Sequence, residues 1–306
     1  MSRLVDVFLH ALTQGSLYAL IALGYTLVYG ILRFINFAHS DVVMVGAWVS
    51  YTLAGVFGWA ATGSPAIAMP VVLILTMGIC AVLGFTIERL AYRPLRRAPR
   101  LNVLITAIGV SLFLEHAGRL DAVFGPDPVS MPKLLSEEPL FHIAGVAVPI
   151  VDATVVFLAI ALLLLLEWLV YRTKLGAAMR AVSFDERTAS LMGINVDRVV
   201  SITFLIGSAL AAAGGMFYGL KYGQLDVTAG SVWVLLGLKA FVAAVVGGIG
   251  NIRGAVAGAF LIAFVENFMA TYASPAFQDA YVFAILIIVL LVKPGGLFGS
   301  VTREKV

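Results

Sequence analysis

The chain carries a long apolar run near its N-terminus, from Val7 to Leu32, which contains no Asp, Glu, Lys or Arg. A helix that crosses the hydrocarbon core of a bilayer needs about 20 predominantly apolar residues. The run is long enough to cross the bilayer, and it exceeds the roughly 7–15 apolar residues of a cleavable signal peptide. It therefore predicts a transmembrane helix.

Similar apolar runs follow along almost the whole chain. Of its 306 residues, 61% are hydrophobic and 12% are charged, whereas about 25% of the residues of a soluble globular protein are charged. This composition excludes a soluble fold of this size. No soluble domain fits at either end, so we expect residues 1–306 to form a single all-α integral membrane domain.

Charged or turn-forming residues divide the sequence into nine apolar runs. The predicted fold is a polytopic bundle of eight to nine transmembrane helices, with eight if one run is re-entrant or half-length. The runs are residues 7–30, 42–59, 66–87, 101–123, 153–171, 199–220, 229–249, 254–272 and 280–292.

The distribution of Lys and Arg predicts the orientation, because short cytoplasmic loops carry an excess of both. Five arginines and no acid lie in residues 89–100, five basic residues lie in residues 172–198, and three follow the last run. These regions and the C-terminus are predicted to be cytoplasmic. The acidic 122–150 loop is predicted to be periplasmic. Nine spans would place the N-terminus outside and eight would place it inside.

Polar residues interrupt the apolar sequence between the first two runs, where Arg33, Asn36, His39 and Asp41 lie close together. A charged residue at the centre of a transmembrane helix costs about 2.5–3.5 kcal/mol. Residues 31–41 therefore form either a tight cytoplasmic loop or a broken helix that lines a polar cavity. Irregular backbone at membrane depth requires cover by protein or water.

A second interrupted stretch lies in the other half of the chain, from Phe241 to Phe260. Paired interrupted segments in the two halves of a transporter indicate the transport path and suggest inverted repeats. The alternative for this stretch is a turn between two spans. The predicted pathway residues from both stretches are Asn36, His39, Asp41, Gly247, Gly248, Gly250 and Asn251.

Three long motifs resemble those of the branched-chain amino acid ABC permeases of the LivH type. They are GSLYALIALGYTLVYGILRFINFAHSDVVMVGAW, LGAAMRAVSFDERTASLMGINVDRVVSITFLIGSALAAAGGM and GLKAFVAAVVGGIGNIRGAVAGAFLIAFVEN, in this order. The resemblance covers most of the chain and is weakest at residues 122–150. One departure is Ser40, where the family usually has Gly. If that position needs a positive φ, Ser would cost about 1 kcal/mol.

The resemblance implies a bacterial inner-membrane importer that works by alternating access. Its partners would be a second related permease or a second copy of this chain, two cytoplasmic ATPases and a periplasmic solute-binding protein. Urea, short amides and small carboxylates are alternative solutes. The sequence contains no Gly-Lys pair and hence no Walker A motif, so ATP and Mg²⁺ would belong to the partners. We expect no enzymatic activity and no cofactor, metal or nucleic-acid site in this chain. We expect membrane lipid to surround it.

By the same resemblance, the cytoplasmic segment 172–198 contains the coupling helix that meets the ATPase, and we place it at residues 183–193. Ser183 is predicted to cap it, with Glu186 as capping-box partner, and Gly193 to end it. The alternative is a solvated connector at the lipid surface. The predicted coupling residues are Arg180, Ser183, Asp185, Glu186, Leu191 and Gly193.

Several ionisable or polar residues lie inside the predicted spans. Glu115 and Arg119 are expected to pair, Lys239 to snorkel outward or to bind a substrate carboxylate, and Glu266 with Asn267 to hydrogen-bond a neighbouring span. An ion-coupled secondary transporter, with its ion site among these residues, is the rival hypothesis, and a channel is the third. The four tryptophans are expected at the membrane interfaces: Trp48, Trp59, Trp168 and Trp233.

Overall fold

A computed structural model describes residues 2–57, 64–96, 98–136, 138–226 and 230–299. The described chain is predominantly helical, with short strands outside the bundle. The helices are α1 Ser2–Leu32, α2 His39–Phe57, α3 Pro65–Ile87, α4 Arg100–Gly118, α5 Ile150–Arg172, α6 Lys174–Phe184, α7 Glu186–Leu191, α8 Val196–Tyr222, α9 Gly230–Gly247, α10 Ile252–Tyr272 and α11 Gln278–Val292. A π-helical segment, Glu88–Tyr92, and a 3₁₀ turn, Arg93–Leu95, extend α3, and a second 3₁₀ turn is Pro275–Phe277.

Eight helices within the described residues are long and apolar enough to cross a membrane. The shorter apolar helix Val232–Gly247, which is most of α9, is a ninth apolar segment. The predicted all-α bundle of eight to nine spans is confirmed. The membrane-crossing candidates are α1, α2, α3 with its π-helical extension, α4, α5, α8, α10 and α11.

The centre of the bundle is formed by α1, α2 and α8, which have the most buried side chains. Small residues allow this close packing. A Cβ on Gly46 would lie 2.5 Å from the Ala212 Cα, and one on Gly215 would overlap with the Val43 carbonyl. Helices in lipid pack through such small residues, since there is no hydrophobic force between them. The apolar side chains of α4, α5 and α11 remain largely exposed, as lipid-facing helices require.

Two opposite faces of the bundle can be distinguished. The hairpin face carries the antiparallel strands β2 (Pro139–Ile143) and β3 (Val146–Pro149), and the pair β1 (Val129–Ser130) with β4 (Gln224–Leu225). The basic face carries residues 88–96, 98–100 and 172–198 and the turn 248–251. The helix α1 begins at the hairpin face, where Arg3 bonds to the Thr271 carbonyl, and ends at the basic face.

The interruption after α1 leads back into the bundle. Arg33 adopts φ 52°, and α2 then begins at His39, whose Nε2 lies 3.2 Å from the Ile21 carbonyl oxygen. Ile21 precedes the end of α1 at Leu32 by eleven residues, which is about 16 Å along a helix. Residues 33–38, which we call the returning segment, therefore follow the broken-helix interpretation and not the tight surface loop.

The second interrupted stretch differs from the first. Residues 248–251 form a turn between α9 and α10 at the basic face, with Gly248 at φ 111° and Gly250 at φ 93°. Asn251 caps α10 by accepting a hydrogen bond from the Gly254 amide. The second stretch therefore forms a turn between two spans, which is the alternative given above to an interrupted helix. An inverted repeat stays a prediction.

The predicted coupling helix is two helices, and the prediction that Ser183 caps it is wrong. Asp185 separates α6 from α7 and caps α7 by accepting from the Thr188 amide over 3.0 Å. Ser183 lies in the last turn of α6 and hydrogen-bonds the Gly30 carbonyl instead. Asp caps helices as well as Ser does, so the two could not be separated by sequence. Gly193, with φ 83°, follows α7 as predicted.

The predicted tryptophan belt holds only in part. Trp168 is exposed, but Trp48 and Trp233 are buried in the bundle. Trp48 stacks on Phe124 with ring centroids 5.2 Å apart, and Trp233 donates a hydrogen bond to the Asp226 carbonyl. These two tryptophans therefore pack inside the bundle and do not lie at the membrane interface. Trp59 lies outside the described residues.

Candidate translocation cavity and coupling surface

A cavity of about 320 Å³ lies beside the start of α2, between the returning segment, α4 and α9. Apolar side chains form most of its wall, among them Phe37, Ile108 and Leu238. Small-molecule sites in proteins are concave and mostly apolar, with a few placed polar groups. Polar groups are supplied here by Tyr25, Ser40, Ser111 and Glu115.

Ser40, at the position where the sequence resemblance leads us to expect Gly, lies on this wall. It lies in the first turn of α2 without a positive φ, so the strain expected for Ser does not arise. Its hydroxyl donates to the Phe37 carbonyl over 3.0 Å. Gly237 of α9 faces it so closely that an added Cβ would overlap with the Ser40 side chain.

The predicted pathway residues of the first stretch are all buried next to this cavity. Asp41 is 1% exposed, and its carboxylate lies within hydrogen-bonding reach of Ser111. His39 packs on Tyr25 with ring centroids 4.5 Å apart. Asn36 accepts a hydrogen bond of 2.6 Å from the Tyr92 hydroxyl. His39 and Asn36 are held by protein groups, so they position the segment that lines the cavity.

The pathway residues of the second stretch lie elsewhere, at the basic face. The C-terminal segment covers their turn, because the Leu297 amide donates to the Val246 carbonyl over 2.8 Å. The Phe298 carbonyl accepts from the Asn251 side chain over 3.1 Å. The structure therefore does not bring Gly247, Gly248, Gly250 and Asn251 together with Asp41. Their role in a pathway stays a prediction.

The helices α6 and α7 form an exposed apolar surface at the basic face. Phe184 is 89% exposed and Leu191 is 87% exposed, with Met192 beside them. We call these three residues the coupling surface. Asp185 and Glu186 lie in the same turn, whereas Arg180 points back to the Val170 carbonyl. The predicted segment 183–193 includes Phe184, but the named coupling residues do not. A Phe directly before an N-cap residue in a polar segment is a usable sequence signal.

An ion-pair network joins the end of the coupling segment to the extension of α3. Arg96 lies between Glu88 and Asp197, with its Nη1 2.6 Å from Asp197 Oδ1. Arg93 also pairs with Asp197, and the Ser201 hydroxyl donates to Glu88 over 2.6 Å. Glu88 is 0% exposed. Sequence spacing gave no sign of this network, because its partners are far apart in the chain.

A second polar network fills the bundle towards the hairpin face. The Lys239 ammonium lies 2.6 Å from Glu266 and 2.6 Å from Asp279. The Tyr18 hydroxyl donates to Glu266, and the Asn267 amide donates to Gln14. Glu266 and Asn267 thus bond to other helices as predicted. Lys239 does not snorkel outward, since it is buried in this network.

The comparisons with known proteins agree with these features. A sequence model of the family described as "Branched-chain amino acid transport system / permease component" matches residues 7–290. The high-affinity branched-chain amino acid permease LivH of Escherichia coli is 38% identical over 97% of this chain and 96% of LivH.

Two further relatives come from other organisms. BraD of Pseudomonas aeruginosa, named as a permease of the same type, is 37% identical over 97% of this chain and 96% of BraD. The probable LivH of Methanocaldococcus jannaschii is 29% identical over 94% of this chain and 90% of that protein. With its bundle of apolar helices and a family match over nearly its whole length, the chain belongs to the family of branched-chain amino acid transport permeases, which are transport components and not enzymes.

Proposed function

We propose that this chain is one of two permease subunits that enclose the translocation path of an ATP-driven importer in a bacterial inner membrane. A related permease or a second copy of this chain supplies the other half. Two cytoplasmic ATPases bind ATP and Mg²⁺, and a periplasmic binding protein delivers the solute. The basic face and the C-terminus are cytoplasmic, as the excess of Lys and Arg there favours.

The observation that carries this proposal is the start of α2 inside the bundle. His39 lies beside Ile21, and Asp41 follows His39 in α2 by about half a helical turn. Polar side chains and a helix end at this depth are costly unless they serve a path or a site. The cavity of about 320 Å³ lies against them. Alternating access would expose this cavity first to the hairpin face and then to the basic face.

The coupling surface is the proposed contact with the ATPase. An amphipathic helix binds a partner by laying its apolar residues into a groove, and Phe184, Leu191 and Met192 are exposed apolar residues at the basic face. The alternative connector on the lipid surface would bury the same residues in the bilayer.

Two sets of contacts lead from the cytoplasmic segment 172–198, which carries the coupling surface, towards the cavity. The Ser183 hydroxyl bonds to the Gly30 carbonyl, and Arg33 donates to the Ser183 carbonyl over 3.1 Å. This first route reaches the returning segment directly. The second route runs from Asp197 through Arg96 to Glu88 and then along the π-helical segment. The Tyr92 hydroxyl at the end of that segment bonds to Asn36. A movement imposed by the ATPase would therefore reach the returning segment at Arg33 and at Asn36.

The relatives named above are named for branched-chain amino acids, and we propose a branched-chain or other small apolar amino acid as the solute. The largely apolar wall suits such a side chain. Urea, short amides and small carboxylates are the alternatives. An ion-coupled transporter is disfavoured because Glu115, Lys239 and Glu266 are each engaged in an ion pair within the chain.

The test is co-purification from the native membrane, followed by ATPase assays with the binding protein and solute. We expect an ATPase pair to co-purify, and Phe184→Ser with Leu191→Ser to remove both the ATPase and the stimulated hydrolysis. Phe277→Ser is the matched control, since Phe277 is exposed at the opposite face. Solute accumulation in vesicles with an ion gradient but no nucleotide would overturn the proposal.

A further inference from the structure

An open cavity of about 630 Å³ lies at the basic face, between the end of α5 and the start of α10. Both helices pack on α1, and this cavity shares no lining residue with the cavity beside α2. Its wall combines two arginines, Arg172 and Arg253, with the aromatic ring of Trp168. Arginines and tryptophans at the ends of membrane-crossing helices are typical of the depth at which lipid headgroups meet the hydrocarbon core.

The charge of this cavity is positive. The ring of Tyr171 in its wall lies 5.7 Å from the Arg180 Cζ and 5.9 Å from the Arg253 Cζ, as in cation–π contacts. Arg172, the next residue in the chain, lines the same cavity, and Glu167 supplies a carboxylate to the wall. Three arginines and one glutamate leave an excess of two positive charges among these residues, so the cavity attracts an anion.

The ion pair with Glu167 leaves hydrogen-bond donors free for such an anion. The Arg253 Nε lies 2.7 Å from the Glu167 Oε1, and the Arg253 Nη2 contacts the same oxygen. A guanidinium group has five N–H donors, and the Arg253 side chain is 75% exposed. Arg172 is also exposed and forms no ion pair among the described residues. A phosphate group can therefore bind Arg172 and share Arg253 with Glu167.

An apolar stripe leads from the cavity along α5. Its residues are exposed and follow one another at three- or four-residue spacing, which places them on one helix face: Phe157, Ile160, Leu164 and Trp168. The eleven residues from Phe157 to Trp168 span about 16 Å along the helix, which is close to half of a hydrocarbon core of about 30 Å. The stripe therefore matches the depth of an acyl chain in the leaflet at the basic face.

We propose that Arg172, Arg253 and the stripe from Trp168 to Phe157 form a binding site for an anionic phospholipid, phosphatidylglycerol. Its phosphate group accepts hydrogen bonds from the two arginines, since a guanidinium group matches the geometry of a phosphate, and one acyl chain lies along the stripe. A zwitterionic phospholipid lacks the net negative charge that the excess of arginine requires. The bound lipid bridges α5 and α10 next to the start of α6.

Quenching of the fluorescence of Trp168 tests this site in the full chain. The protein is placed in phosphatidylcholine nanodiscs that contain either phosphatidylcholine or phosphatidylglycerol with brominated acyl chains, which quench a tryptophan on contact. Subtracting the signal of Trp168→Phe removes the contribution of the other tryptophans. We expect phosphatidylglycerol to associate at least about threefold more strongly than phosphatidylcholine, and less so in high salt. Equal quenching by the two lipids would overturn the proposal.

Arginine variants locate the preference. Arg172→Gln with Arg253→Gln should remove the preference for phosphatidylglycerol and leave quenching by brominated phosphatidylcholine unchanged, which also shows that the variant is folded. Arg172→Gln alone breaks no ion pair and should lower the preference about twofold. Arg198→Gln, exposed at the same face and outside the cavity, is the control and should keep it. An undiminished preference in the two cavity variants would assign it to the whole basic face and overturn the proposal.

Two other occupants of this cavity give different results. Glycerol phosphate in solution carries the headgroup without an acyl chain and should not displace brominated phosphatidylglycerol. Displacement would show a site for soluble anions and overturn the lipid assignment. The measurement is repeated on the chain together with the subunits that co-purify with it. Loss of quenching by both lipids there would show that a subunit covers this face, and would also overturn the proposal.

Discussion

The Tyr92 hydroxyl donates a hydrogen bond of 2.6 Å to the side-chain oxygen of Asn36. Tyr92 is the last residue of the π-helical segment, and Asn36 lies in the returning segment that borders the cavity. Glu88, the first residue of the same segment, pairs with Arg96. A single wide turn therefore connects the ion pairs at the basic face with the cavity, and such π-helical turns occur frequently at functional sites.

Tyr92→Phe should reduce the coupling of ATP hydrolysis to solute uptake more than it reduces the stability of the fold. The loss of one buried hydrogen bond costs about 1 kcal/mol, while the ring contacts with Phe34 and Phe204 remain. We expect solute uptake to fall several-fold and solute-stimulated ATPase activity to fall less. Tyr171→Phe at an exposed ring is the control. Equal losses in both assays would contradict this role of Tyr92.

Glu88→Gln should destabilise the protein far more than Asp197→Asn does. Glu88 is fully buried and Asp197 is about half exposed. Removing one partner of a buried ion pair costs roughly 3–5 kcal/mol. We expect the lower end of this range for Glu88→Gln, because Arg96 retains its ion pair with Asp197. An exposed pair contributes less than about 1 kcal/mol. Thermal unfolding of both variants in detergent measures the difference, and similar melting temperatures would refute it.

Gly24→Ala should disturb the start of α2, because a Cβ at this position would overlap with the His39 ring. Overpacking of a well-filled interior costs about 1–3 kcal/mol. Gly109→Ala is the matched control, since open space surrounds that glycine on α4, and Ala should be neutral or slightly stabilising there. We expect reduced uptake and a lower melting temperature for Gly24→Ala alone, measured on the same membrane preparation.

The stabilisation of α7 by its N-cap residue, Asp185, should depend on pH only under acidic conditions. The Thr188 backbone amide bonds to the Asp185 carboxylate and lowers the pKa of that group below its ordinary value. A depressed folded pKa means that this stabilisation is present above the unfolded pKa, near 4, and is lost as pH falls through the folded value. The protection factors of residues 186–193, which compare the observed exchange rate with the intrinsic rate at the same pH, should therefore stay constant from pH 8 to about pH 5.

Replacing the cap gives the complementary experiment. Asp185→Ala should speed exchange in α7 at neutral pH, and Asp185→Ser should retain slow exchange because Ser also caps helices. Fast exchange in both variants would show that the Asp185 carboxylate, and not capping as such, holds the turn.

Sequence alone predicted the features that depend on local composition. The apolar runs predicted the bundle, and the four-residue spacing of Glu115 and Arg119 predicted their ion pair, which is formed. The sequence allows two alternatives for the depth at which α2 begins, a tight cytoplasmic loop or a broken helix. Hydropathy indicates the length of an apolar segment but not the depth at which the chain turns back. That depth is set by contacts between distant residues such as His39 and Ile21.

The site was predicted less completely than the fold. Asn36, His39 and Asp41 were identified because polar residues stand out in an apolar sequence. They are buried beside the cavity without lining it, and their role in a pathway stays a prediction. Tyr92 and Glu88 were missed, since a tyrosine and a glutamate near a basic loop resemble ordinary interface residues. Only the tertiary contacts to Asn36 and Ser201 distinguish them.

The turn between α9 and α10 also constrains the order in which the protein assembles. Its carbonyl groups at Val246 and Gly247 receive hydrogen bonds from Leu297 and Phe298, which are translated long after the two helices. The turn therefore stays incomplete during insertion and closes only once residues 297–298 have left the ribosome. A stop codon at position 294 would leave those two acceptors without their native donors in an otherwise inserted bundle.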